Sequence, residues 1–251
     1  MHLVASSSCT APRVERASGS TLLAVALTLV LPRTAAAQPP DPALLERLSH
    51  QAKAFEEFGK HASFRSEARV EELDGDGKVT STQLQQSRIE ADGKTTHEIV
   101  ERATKDGKDV TAEEQEKTKK EEAEAAKQKK ADGEGLTIPF ASDAYVYDQV
   151  GVDAADPSRV EISFTPKKPT KHTLEGKAWV DTTSGTILSA GAKLSKPPTF
   201  VDWVHFTVEL GAKTPLGPAM SHLTFEVKAG LLFIKKHIRG DVKMSDYTIA
   251  P

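Results

Sequence analysis

The 251-residue chain has one cysteine, Cys9, and it lies ahead of the first apolar run. That excludes a disulfide framework, a thiolate metal set and a cysteine nucleophile from the rest of the chain. Aromatic residues are scarce at 6% and hydrophobic residues reach only 38%, low for a globular chain. The longest apolar run, Thr21 to Leu31, falls short of the ~20 residues a membrane-spanning helix needs. Charge of one sign is also missing. The net charge is -3, so neither nucleic acid nor an anionic membrane surface is an expected partner. No nucleophile-elbow, zinc-protease, dithiol or phosphate-loop motif occurs, and no catalytic residue, cofactor or metal is assigned.

Residues 1–37 have the pattern of a secretory signal. Arg13 and Arg16 give a basic start, Thr21 to Leu31 an apolar centre, and Thr34-Ala35-Ala36-Ala37 small residues for cleavage near Ala37. The expectation is an exported, periplasmic protein whose mature part, 38–251, is a single domain. Cys9 precedes the apolar run, so it is not placed for lipidation.

Asp41 and Pro42 predict a helix start. Leu44, Leu45, Leu48, Ala52, Phe55 and Phe58 then form one apolar stripe at helical spacing, with Gly59 as the expected stop. Asp-Gly-Lys recurs at Asp76, Asp92 and Asp106. Asp-Gly between extended runs is a hairpin signal, because the turn needs positive φ. Thinly apolar strands are expected at Phe64–Leu73, Val79–Ile89 and Thr95–Ala103. The Asp74–Lys78 run is not a calcium loop: sixth and twelfth positions are Val79 and Gln85, where such a loop needs Gly and Glu.

Thr111-Ala112-Glu113-Glu114 is a capping box. A charged helix over 111–131 follows, without a large apolar residue, and Gly133 and Gly135 end it. Further on, alternation at Val160–Phe164, Val204–Leu210 and Leu223–Ala229 marks strands, and Leu174–Asp181 and Thr186–Leu194 form a hairpin across Ser184-Gly185. The fold class expected is α+β: a curved antiparallel sheet, a half-open β-barrel, with the Leu44–Phe58 helix packed on its concave face and the charged helix exposed. His205, His222 and His237 fall on neighbouring strands, where surface positions are the simpler reading than a shared metal.

The run Gly176-Lys177-Ala178-Trp179-Val180-Asp181-Thr182-Thr183-Ser184-Gly185-Thr186-Ile187 resembles a hairpin of the LolA/LolB-like superfamily, periplasmic proteins of outer-membrane lipoprotein sorting and their secreted relatives. Ser245-Asp246-Tyr247 is similar to the end of such chains. Asp106–Glu114 and Phe164-Thr165-Pro166-Lys167 resemble segments of its secreted members. The resemblance implies a half-open barrel with helices plugging a cavity that takes acyl chains. The charged helix and the lack of an assignable groove arginine depart from the carrier pattern.

The function expected is non-enzymatic binding of a hydrophobic or acyl-bearing ligand, a lipid or lipoprotein, with Leu48, Phe55, Phe164, Trp179, Phe206 and Phe225 facing the concavity. The alternative is an envelope sensor or interaction module that engages a protein partner through the same fold. In both, the chain is not an integral membrane protein.

Overall fold

The computed structural model describes residues 37–93, 95–132, 137–215, 217–231 and 234–249. The predicted signal lies outside them except for Ala37, and so do Gly133 and Gly135.

Helix α1 spans Pro42–His61. The Asp41 carboxylate caps it by accepting the Ala43 N–H at 3.0 Å, and Pro42 fills the first position, where no N–H is needed. The helix runs through Gly59 and stops at His61, two residues later than expected. Ala62 is already extended and paired with Ile249, so strand pairing, not local propensity, sets this end.

Three strands follow: β1 (Ala62–Leu73), β2 (Val79–Ala91) and β3 (Thr96–Lys105). The Asp-Gly turns form as expected, with Gly77, Gly93 and Gly107 at φ 82°, 83° and 80°. The Asp74 carboxylate accepts the N–H groups of Asp76 and Lys78, an Asx turn rather than an ion loop. Two-residue β4 (Lys108–Asp109) leads into the charged helix α2 (Thr111–Asp132). Then come β5 (Tyr145–Val152), β6 (Arg159–Pro166), β7 (Leu174–Asp181), β8 (Thr186–Leu194) and β9 (Val201–Glu209). The hairpin β10 (Ala212–Thr214) and β11 (Gly217–Ala219) stands apart from the main sheet. The last strands are β12 (His222–Leu231) and β13 (Ile234–Ile249).

Eleven strands make one antiparallel sheet in the order β4-β3-β2-β1-β13-β12-β9-β8-β7-β6-β5. β4 and β5 end the sheet without meeting, so it is open and not closed into a barrel. The seam is β1 against β13, running from Ala62↔Ile249 to Leu73↔His237. It fuses the N-terminal hairpins to the C-terminal strands.

Both edges are guarded. At β5, Gln38 exchanges backbone hydrogen bonds with Gln149 at 3.2 and 2.7 Å, and Pro39 and Pro40, which have no N–H, stop the pairing there. At β3, side chains of α2 take the free backbone groups. Glu122 Oε1 accepts the Glu98 N–H at 2.8 Å, Gln115 Nε2 donates to the Val100 carbonyl at 2.8 Å, and Thr111 Oγ1 accepts the Ala103 N–H at 2.9 Å. The sequence promised α2 no face to bury. It is docked by polar side chains instead.

The main core joins Leu44, Leu48 and Ala52 of α1 to Val160, Ile162, Phe164, Leu174, Ala178, Val180 and Ala192 of the sheet. Among the described residues no helix is long and apolar enough to cross a membrane.

Candidate functional site

An apolar cavity of about 200 Å³ lies beneath the middle of α1, between the Leu44–Leu48 core and Phe58, which is buried with Ala62 and Ala219 against Tyr247. Helix α1 contributes Gln51, Ala52 and Phe55. The sheet contributes Phe164 of β6, Leu174 of β7, Ile187, Ala190 and Ala192 of β8, and Phe206 and Val208 of β9. Leu210 and Met220, at the root of the β10–β11 hairpin, complete one side. Space exists because Ala52, Ala190 and Ala192 stand where larger residues would fill it.

Gln51 is the one polar side chain in this lining, and its Oε1 accepts the Ile187 N–H at 2.8 Å. Its acceptor is thereby turned to the backbone, not to the space. A water molecule inside would find few of the partners it requires.

Ile138, Pro139 and Phe140 form the remaining wall, and two tyrosines pin it. Tyr147 Oη accepts the Phe140 N–H at 2.9 Å and donates to the Ser142 carbonyl at 3.2 Å. Tyr145 Oη donates to the Thr137 carbonyl and accepts the Leu174 N–H, each at 3.2 Å. Burial pushes the Tyr147 phenol up to about 12 and raises Tyr145 as well. Phe140 has φ 69°, a region costly for a bulky residue. Its buried ring stacks on Tyr147 at 5.0 Å and meets Phe164 edge-on at 5.8 Å, which holds it there.

The six expected site residues divide. Phe55, Phe164 and Phe206 line the cavity. Leu48 is 0% exposed and belongs to the core above it. Phe225 is paired with Phe206 on the same face but lies beyond the cavity, its ring against Gly240. Trp179 alternates with the inward Ala178 and Val180 and sits opposite Glu161, whose carboxylate pairs with Lys177. It therefore projects from the other face. Ala190, Ala192 and Met220 carried no sequence signal, since small residues in a strand and a lone Met read as ordinary packing.

That other face is polar. Trp203 stacks on His205 at 4.8 Å, His237 is bonded to Glu226, and His222 to Asp241 at 3.0 Å. The three histidines share a face without converging. Among the described residues no group of three or more metal-ligating side chains is assembled. Glu71, 8% exposed, is clamped by Arg239 and Arg69. Hydrogen bonds from those guanidinium groups, Arg239 first, hold its carboxyl below the usual range.

No protein-family model matches the chain, and neither does the sequence of any curated protein. Among solved structures the chain is similar to a DUF1329 family protein from Desulfovibrio piger, at 12% identity and TM-score 0.40, covering 84% of this chain and 94% of that one. It is similar to a LolA superfamily protein from Nitrosomonas europaea at 9% identity and TM-score 0.32, covering 83% and 93%. Against the Pseudomonas aeruginosa MucA/MucB complex the values are 12%, 0.21, 79% and 94%. Overlaps this low carry no argument. The architecture rests on the strand order and register given above.

Proposed function

We propose that the protein binds the apolar end of a hydrophobic or acyl-bearing ligand in the cavity under α1, with no chemical conversion, and that it does so as an exported carrier. The observation that supports this is the lining: apolar throughout, with its one polar side chain turned to the backbone at Ile187. Such a space offers nothing to a polar substrate. Each methylene buried there gains about 0.8 kcal/mol.

At about 200 Å³ the cavity is smaller than the roughly 300–1,000 Å³ of common ligand pockets. It takes a chain end as it stands. A longer chain requires the Phe55 side chain to swing aside, because α1 is held on both sides of it, by Leu44 and Leu48 in the main core and by Phe58 in the second cluster.

Displacement of an alkyl-chain fluorophore tests this. Binding to the wild-type chain and its loss in Ala190→Phe, which fills the space, is the expected pair of results. Trp179 and Trp203 both project from the opposite face, so intrinsic tryptophan emission stays unchanged on binding. Equal binding by Ala190→Phe, in a chain with wild-type circular dichroism, overturns the reading.

A further inference from the structure

Helix α2 lies along β3 on an interface without large apolar side chains of its own. The half-buried positions facing β3 are Thr111, Glu114, Thr118 and Glu122. Beneath them the sheet offers buried Val100 and Ala103. What ties the helix down is a set of side-chain bonds to backbone: Glu122 on the Glu98 N–H, Gln115 on the Val100 carbonyl and Thr111 on Ala103. These are the groups through which a further strand would pair with β3. An incoming strand can replace those at Glu98 and Val100, while the Ala103 carbonyl is held besides by the Val110 N–H.

Strand β3 is also suited to pair with itself. Glu98 and Val100 point their backbone groups away from β2. An antiparallel copy that sets Glu98 opposite Val100 puts Ile99 opposite Ile99 and His97 beside the second copy's Glu101, the residue at which β3 bulges and whose carboxylate lies 3.6 Å from Arg88. Ile99 is 37% exposed, and this pairing covers it. His97, now 3.5 Å from Glu122, exchanges one carboxylate for another. We infer that the β3 edge is a docking site for the β3 edge of a second copy of this chain, and that α2 is the guard that keeps it closed. A two-fold contact of this kind is self-complementary and closes on itself.

The test is a cross-link. In this register the two Ile99 positions form a non-hydrogen-bonded pair, with Cα atoms about 4.5 Å apart, within disulfide reach. Ile99→Cys is placed in a Cys9→Ser chain, with and without Thr111→Ala, Gln115→Ala and Glu122→Ala together. Glu122→Ala alone serves if the triple change does not fold. Under mild oxidation the chain with the weakened guard should form at least ten times more disulfide-linked dimer than the chain with α2 intact. His97→Cys in the same background should form almost none, because His97 meets Glu101 and not itself. Hydrogen exchange at the Glu98 amide reports whether the edge has been freed. Three results each overturn the inference: equal cross-linking in both chains, a Glu98 amide freed in the dilute, monomeric chain with no dimer at higher concentration, or a Glu98 amide of the dilute, monomeric chain that stays protected without the three side chains.

Discussion

At the scale of single residues, Gly176 shows why a motif can be physically required. It opens the Gly-x-x-Trp hairpin, and a Cβ there would collide with the carbonyl oxygen of Gly191 and press on Ala192 across the strand pair. The obstacle is backbone and cannot rotate away. Gly176→Ala should therefore cost roughly 1–3 kcal/mol or more, read as a lowered denaturant midpoint. Gly191→Ala, whose nearest neighbour is the Thr207 hydroxyl at 3.8 Å, is the matched control and should change little. Trp179, the most conspicuous residue of that motif, faces away from the cavity. Sequence alternation fixes which residues share a face within one strand. It does not fix which face meets the helix, and on the facing strand β8 the extra residue Leu188 interrupts the alternation besides.

Tyr147 and Tyr145 set a pH dependence at the same scale. Burial raises both phenols, Tyr147 to about 12, and Tyr247 also reaches about 12 through burial. The folded chain keeps these groups neutral when the unfolded chain has begun to ionise near 10.0. Their contribution is complete below pH 10 and is lost as pH rises toward 12. An ultraviolet absorbance titration should show no tyrosine ionising at its ordinary value while the fold persists. Ordinary ionisation of Tyr145 or Tyr147 would break the account of the Ile138–Phe140 wall.

At the scale of elements, α1 has two halves with different work. Leu44 and Leu48 are core, at 2% and 0% exposure, whereas Phe55 roofs the cavity. Leu48→Ala should cost about 2–5 kcal/mol. Phe55→Ala should cost less and should weaken alkyl binding more, which paired denaturation and displacement measurements separate. The apolar stripe made α1 legible in the sequence, down to its Asp41 cap. The division within the stripe was not legible, because it depends on Ala190 and Ala192 lying across from it. For α2 the composition gave the helix and its exposure. Its docking went unread because polar side chains bond the backbone of β3, and backbone groups leave no trace in composition.

On the scale of the whole molecule, the N-terminal hairpins and the C-terminal strands were legible separately, through Asp-Gly turns and alternation. Their fusion was not. It is made by β1 and β13, whose partners are separated by most of the described chain, and no local signal specifies such a pairing. The result is an open sheet with a prolyl segment on one edge and a helix on the other. The space between α1 and the strands β6 to β9 is the account's central claim, and native mass spectrometry of the chain purified without detergent tests it most directly. Titrated with alkyl carboxylates of increasing length, the wild-type chain should retain one molecule per protein, more firmly as methylenes are added, and Ala190→Phe should retain none. Failure of the wild-type chain to hold any alkyl ligand, or retention unaffected by Ala190→Phe, would contradict it.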